Sequence, residues 1–160
     1  MKKILITGST GFIGSNLLKD LYPENKIFLI LRNKSQKSKK IKNYKDIKVI
    51  WYNNFDELNK KLKKITIDVV IHCATHYVRN HNFEDLLKLN KSNILFGNVI
   101  LENLKSMKTK KFINFSTVWE DYNSIKNNCH NLYSAYKKSF GNLISYYSKT
   151  LPKTLFFNIM

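Results

Sequence analysis

A chain of 160 residues that is 43% hydrophobic and 13% aromatic has the length of one domain and the apolar content of a packed core, which excludes a disordered chain. Its formal charge of +17 comes almost wholly from Lys, with Arg only at Arg32 and Arg79; beside abundant Asn and Ile this is what an adenine- and thymine-rich genome writes through its codons, so charge alone assigns neither a nucleic-acid nor a membrane partner. Cys73 and Cys129 stand far apart without the close pairs of a zinc site, the apolar run after the initial MKK stops at Thr7 and Gly8, and no segment is long enough to span a bilayer, so a cytoplasmic protein with free thiols, no metal and no membrane partner is expected.

Lys3 to Thr7 is short, apolar and β-branched, and predicts a first strand that runs into closely spaced glycines. A helical pattern follows at Phe12, Ile13, Leu17, Leu18 and Leu21, and Pro23 and Asn25 end it. KIFLILR, Lys26 to Arg32, predicts a second, buried strand, whereas Asn33 to Lys45 carries the densest positive charge without an apolar period and predicts a solvated loop. IKVIW, Ile47 to Trp51, is the next strand. Phe55, Leu58, Leu62 and Ile65 share one helix face, and TIDVVIHCA, Thr66 to Ala74, returns to strand. Then come a long helix from Phe83 to Leu104, the strand Lys110 to Ser116, an irregular segment, a helix from Leu132 to Ser148, and KTLFFNI after Pro152. With strand and helix alternating and no linker or repeat, the chain predicts one α/β domain over residues 1–160: a doubly wound parallel sheet in three α/β/α layers, joined by right-handed crossovers.

The glycine turn is the first feature that carries chemistry. A strand leading through glycines into a helix binds phosphate, because the helix N-terminus offers unpaired N–H groups and missing side chains let a pyrophosphate approach the backbone. Gly8 permits the tight turn, Gly11 the close approach, and Gly14 the packing of helix on strand. The spacing Thr7-Gly8-Ser9-Thr10-Gly11-Phe12-Ile13-Gly14 resembles the TGxxGxxG signature of the extended short-chain dehydrogenase/reductase family, whose fold is Rossmann-type. Two further stretches carry the resemblance: Thr117 follows the strand FINFS, and Tyr133-Ser134-Ala135-Tyr136-Lys137 supplies a YxxxK. STVWEDY and NLYSAYKKSF are similar to the active-site region of the family's nucleotide-sugar reductases and epimerases, the group of CDP-paratose and CDP-abequose synthases. VVIHCATHY resembles the family's fourth strand and cofactor loop, and NILFGNVILENL its NVxGTxNLLEA helix, with Phe96 and Gly97 in place of the GT pair.

The resemblance implies Thr117, Tyr133 and Lys137 as catalytic residues. It implies Gly8, Thr10, Gly11, Phe12, Ile13, Gly14, Arg32, Ala74 and Lys137 as cofactor-binding. Hydride transfer at a sugar carbon needs a group that exchanges the hydroxyl proton in step. Tyr133 and Lys137, four apart, share a helix face, so the ammonium is expected to lower the phenol pKa and to hold the nicotinamide ribose. Thr117 is expected to orient the reacting sugar oxygen. Arg32 ends the second strand, with Asn33 and Lys34 after it and no acid nearby, which favours the 2′-phosphate of NADP, NAD being the alternative. His72, His76, His81 and His130 lack metal spacing, Asn93 reads as structural, and an adenine contact by Asp56 is left open because Asn53 and Asn54 come first.

Family members are about twice this long, so the segment building most of the sugar-nucleotide pocket is expected to be absent. The reading is then an NAD(P)-dependent nucleotide-sugar epimerase, dehydratase or reductase, acting on a nucleotide-diphosphate sugar at C4, whose turnover is expected to be poor. The alternatives are a dinucleotide-binding protein without catalysis, and nucleic-acid binding through Asn33 to Lys45, which no accompanying motif supports. A homodimer, through the helices beginning near Phe83 and Leu132, is implied by the resemblance alone.

Overall fold

The computed structural model describes residues 1–32, 41 and 44–160. The charged stretch expected to be a loop from Asn33 to Lys45 lies mostly outside them. Among the described residues the apolar runs become six parallel strands in the order β3-β2-β1-β4-β5-β6: β1 Lys3–Thr7, β2 Lys26–Arg32, β3 Lys48–Tyr52, β4 Val69–His72, β5 Lys111–Phe115 and β6 Leu155–Ile159. Because side chains alternate along a strand, one face of β1 offers Leu5 and the other Ile4 and Ile6. Leu5 joins Phe28, Val70 and Phe112 in the larger core, covered by α2 (Phe55–Leu62), α4 (Phe96–Asn103) and α5 (Leu132–Thr150). Ile4 and Ile6 join Ile27, Leu29 and Ile71 against Leu18 of α1 (Phe12–Leu21). The expected three-layer, doubly wound sheet is therefore present.

Strand β1 pairs with both β2 and β4, so the crossovers depart to opposite sides and leave a crevice beyond the carboxyl ends of β1 and β4, at Thr7 and His72. Two expectations change here. The fourth strand is only Val69–His72 rather than Thr66 to Ala74, because the Asp68 carboxylate is taken by the Lys3 N–H at 2.9 Å and Ala74 leaves the ladder to lie over the glycine turn. Phe12 and Ile13, which fit the apolar helical period, are 86% and 43% exposed, and α1 instead buries Gly14 and Leu18.

The long helix expected from Phe83 to Leu104 runs as α3 (Phe83–Asn90), a π turn over Lys91–Leu95, and α4. Gly97 allows α4 to approach α5. A Cβ there would lie 2.4 Å from Cε2 and Cζ of Phe140, a side chain only 1% exposed. At Gly141 a Cβ meets nothing within 4 Å.

These two glycines give opposite predictions. Gly97→Ala should lower the unfolding free energy by about 1–3 kcal/mol through overpacking. Gly141→Ala should raise it by about 0.5–1 kcal/mol through helix propensity. Urea denaturation of the two variants beside the parent checks both signs.

Candidate functional site

The crevice is built on a junction too tight for side chains. Gly8 has φ +68, and a Cβ on it would stand 2.6 Å from the backbone N of Ala74. A Cβ on Gly14 would stand 2.4 Å from the Gly8 carbonyl oxygen, so α1 can lean on the turn only because both positions are glycine. Gly11 differs. Its Cβ would meet only the Gly8 oxygen at 3.3 Å, and its outer side is open. Gly11 also caps α1 in extended conformation, with no side-chain cap and no acid in the first turn. The first N–H groups of α1 therefore have no acceptor among the described residues, beside a space that a side chain at Gly11 would fill. This cradle fits a pyrophosphate, held by backbone N–H groups and the positive end of the helix.

Thr7, wholly buried, ties β1 to the loop after β4. Its Oγ1 accepts from the Ala74 N–H at 3.2 Å and lies 2.9 Å from His72 Nδ1. His72 is 1% exposed among Phe96, Phe112 and Phe140, and burial holds its pKa down at about 3, so the ring is neutral and structural. The loop beyond is clamped by Asn93 on the π turn. Its Oδ1 accepts from the His76 N–H at 2.6 Å and the Thr75 hydroxyl at 3.2 Å, while its Nδ2 donates to the His76 carbonyl at 2.9 Å. The bonds to backbone agree with a structural Asn93.

The three predicted catalytic positions lie on the chain after β5 and on α5, linked through the Phe115 carbonyl and the Tyr77 ring. Thr117 follows β5, and its Oγ1 accepts from the Trp119 N–H at 3.4 Å, capping a 3₁₀ segment over Val118–Ser124 that is broken at Asp121–Asn123. Tyr133 and Lys137 lie on α5, whose start is fixed by an Asn131–Ser134 capping box, and they are 9% and 5% exposed. Tyr77 packs edge-on against Tyr133 with ring centroids 5.1 Å apart, and Tyr77 also meets Trp119 at 6.0 Å. The expected lowering of the Tyr133 pKa is not found. Burial raises it, the Thr75 hydroxyl bonded to it pulls it down, and Glu120 and Tyr77 add to the rise. Burial is the main reason, and the Lys137 ammonium is engaged elsewhere: Nζ donates to the Phe115 carbonyl at the end of β5. Desolvation lowers the Lys137 pKa to about 8, with Glu120 and Cys73 opposing.

Glu120 was missed in the sequence, although Thr117-x-x-Glu120 has capping-box spacing. It is 8% exposed, and its carboxylate accepts from the Ser116 hydroxyl rather than from the cap residue's N–H. At the crevice's other end Arg32 is exposed and pairs in register with Tyr52. Asn54 accepts from the Glu57 N–H at 2.9 Å, and Asn53 donates to Glu57 Oε2 from its backbone N–H at 2.9 Å and from Nδ2 at 3.0 Å, so both serve the start of α2. Thr10 is half-buried on the turn. Cys73 and Cys129 are free thiols, and burial pushes Cys73 up to about 12. Among the described residues no group of three or more His, Cys, Asp or Glu could hold a metal, and no helix is long and apolar enough to cross a membrane.

Known proteins share this arrangement. The family described as NAD dependent epimerase/dehydratase matches residues 4–152. The chain is 28% identical to a CDP-abequose synthase of Salmonella muenchen over 99% of its own length and 52% of that protein's. It is 35% identical over 128 residues to a dTDP-D-glucose 4,6-dehydratase of Dictyostelium discoideum, covering 73% of this chain and 29% of that one. A solved UDP-glucuronic acid 4-epimerase from Bacillus cereus, in complex with UDP-glucuronic acid and NAD, is similar at 26% identity and a TM-score of 0.79, over 98% of this chain and 55% of that one. The chain thus spans about half the length of the CDP-abequose synthase, and less of the dehydratase.

Keeping Lys137 charged in this site costs stability, which predicts a measurable trade. Its folded pKa of about 8 lies below the ordinary 10.5, so the penalty is full below about pH 8 and vanishes as the unfolded group also loses its proton above 10.5. Lys137→Met should therefore raise the unfolding free energy at pH 7 by on the order of 2 kcal/mol, a gain that shrinks as pH climbs from 8 to 10.5. Thermal melts across that range check both the sign and the window.

Proposed function

The chain belongs to the NAD dependent epimerase/dehydratase family, and from that membership we propose that it is an oxidoreductase moving a hydride between a nicotinamide dinucleotide and a sugar carbon of a nucleotide-diphosphate sugar. The observation that carries this reading is the meeting, at one sheet crevice, of an uncapped helix N-terminus on a three-glycine turn with a buried Tyr133–Lys137 pair. When bound, the dinucleotide would supply or accept the hydride. Gly8, Gly11 and Gly14, with the N–H groups opening α1, would hold its pyrophosphate, and Thr10, Phe12, Ile13 and Ala74 would border it.

Tyr133 handles the proton. Because burial keeps its phenol above the usual range, the hydroxyl is protonated at neutral pH, the form that donates a proton to an oxygen becoming an alkoxide. That state favours the reductive direction, from keto sugar to alcohol. Lys137, released from the Phe115 carbonyl, would supply the positive charge that steadies the phenolate left behind and would bond the ribose. Thr117 is anchored by its cap bond through an acceptor lone pair, so its hydroxyl hydrogen is free to orient the substrate oxygen.

NADP is the cofactor form proposed, since the cation at the end of β2 is Arg32 and Asn53, Asn54 and Glu57 are engaged with one another at the end of β3. A homodimer is proposed through the helices beginning near Phe83 and Leu132; on the first of them Phe83 is 86% and Leu87 67% exposed. Sedimentation of the parent beside Leu87→Lys checks it, the variant sedimenting as a monomer.

The function is tested with the full chain, 4-deuterated NADPH and a nucleotide 4-keto sugar, following deuterium into the sugar. Tyr133→Phe should cut transfer by about 10²–10⁴-fold while leaving NADPH affinity within a few fold. Arg32→Ala should weaken NADPH and leave NADH unchanged; a parent that prefers NADH would overturn the cofactor assignment.

A further inference from the structure

Two aromatic rings carried by the ends of neighbouring strands meet beside Tyr133. Tyr77, on the chain after β4, packs edge-on against Tyr133 with ring centroids 5.1 Å apart, and it also stands 6.0 Å from Trp119, on the segment after β5. Both rings are held from behind. Asn93 takes the Thr75 hydroxyl and both backbone polar groups of His76, which fixes the chain just before Tyr77. The Trp119 N–H donates to Thr117 Oγ1 and its carbonyl accepts from the His130 N–H at 3.0 Å. Its ring meets the His130 ring at 5.2 Å, and His130 in turn meets Tyr122 at 4.3 Å.

A clasp between two loops would explain these contacts, but not where the rings stay open. Tyr77 keeps 49% of its surface exposed although the chain before it is clamped, and Val118, next to Trp119, keeps 66%, whereas Tyr133 at their edge keeps 9%. Apolar surface left open around a buried polar group is the usual lining of a ligand groove. The dinucleotide is assigned to the glycine turn and α1, and Tyr77 and Trp119 lie on neither, so the rings are left for the sugar. An oxygen bonded to Tyr133 brings the carbons that flank its own carbon against the lining of Tyr133, and that lining includes the Tyr77 ring. Ring faces offer C–H groups close contact and dispersion, but they return no full hydrogen bond to a hydroxyl turned onto them.

We propose that Tyr77 and Trp119 form the wall on which the substrate sugar lies, and that they select a sugar deoxygenated next to the reacting carbon over its fully hydroxylated counterpart. This rests on the reading of Tyr133 as the residue that meets the sugar oxygen. A hydroxyl turned onto the wall loses water without a replacement, while a hydrogen or methyl in its place gains contact. Apolar surface rejects an added hydroxyl by only about 10²-fold, so the expected selectivity is about 10- to 10²-fold. The two rings set specificity and move no proton.

The test follows tryptophan fluorescence in the full chain carrying Trp51→Phe, which leaves Trp119 as the reporter. The probes are dTDP-glucose, its 6-deoxy and 3-deoxy counterparts, and dTMP, each with and without saturating NADP⁺, and NADP⁺ alone. A deoxy sugar should change the emission and bind about 10- to 10²-fold more tightly than dTDP-glucose. Tyr77→Ala should bring that ratio to within about twofold, while Tyr77→Phe, which keeps the ring, preserves it. Trp119→Leu, read by calorimetry, should reduce the ratio in the same way and serves if Tyr77→Ala does not fold. Equal binding of the three sugars, no sugar binding, an unchanged ratio in the folded variants, or an emission change with dTMP or NADP⁺ alone as large as the deoxy sugar's overturns the proposal. The deuterium assay separates the two readings: a deoxy preference in a chain that transfers no deuterium sustains this inference and sinks the hydride assignment, and transfer without the preference does the reverse.

Discussion

The structure depends on how closely the end of β1 approaches the end of β4. Gly8 can turn at φ +68 with the backbone of Ala74 against it only because it has no side chain, and the Thr7 hydroxyl then bridges His72 and Ala74 across the same gap. From this contact the rest of the site is placed by short links. Gly14 seats α1 on the turn, Asn93 holds the chain beyond Ala74, and Thr75 joins that clamp to Tyr133. A shift of one strand relative to the other would therefore move the phosphate cradle and the tyrosine together.

The same crowding sets the electrostatics. A site dry enough to strengthen charge interactions also penalises the charges it holds. Lys137 pays that penalty openly, with its pKa brought down to about 8, whereas His72 avoids it by staying neutral. Burial thus costs stability at Lys137, and such a cost is expected of a residue in the role proposed for it.

Much of this was legible in the chain. The strands announced themselves as β-branched apolar runs of the right length, and β2 lies where KIFLILR begins and ends. Glycine spacing located the cradle because steric need is local. Tertiary choices were not legible. Four-residue spacing put Tyr133 and Lys137 on one face, but it could not say that the ammonium would turn to the Phe115 carbonyl, a residue 22 positions away. The π turn at Lys91–Leu95 is a single misplaced hydrogen-bond register inside a pattern that reads as continuous helix. Phe12 and Ile13 fitted the helical period, yet α1 turns Gly14 and Leu18 inward instead. Glu120 was not singled out in the sequence; its burial belongs to a segment kinked at Asp121–Asn123, where Asn123 takes φ of 56.

The distribution of charge bears on the composition that opened the puzzle. Codon bias scatters lysine without regard to the fold, yet Lys3, Lys26, Lys48 and Lys111 begin four strands at the sheet's amino end, opposite the crevice, where helix C-termini also welcome cations. Acids follow the reverse rule: Asp56 and Glu57 open α2, Glu84 and Asp85 open α3, and Glu120 and Asp121 open the 3₁₀ segment. Of the described α-helices that start from a loop, α2, α3 and α5 have asparagine caps, and α1 alone has neither a side-chain cap nor a first-turn acid. A helix left bare beside a glycine with open space forgoes about 1 kcal/mol of capping. That loss has no structural return, and it leaves the N–H groups to an anion arriving from outside.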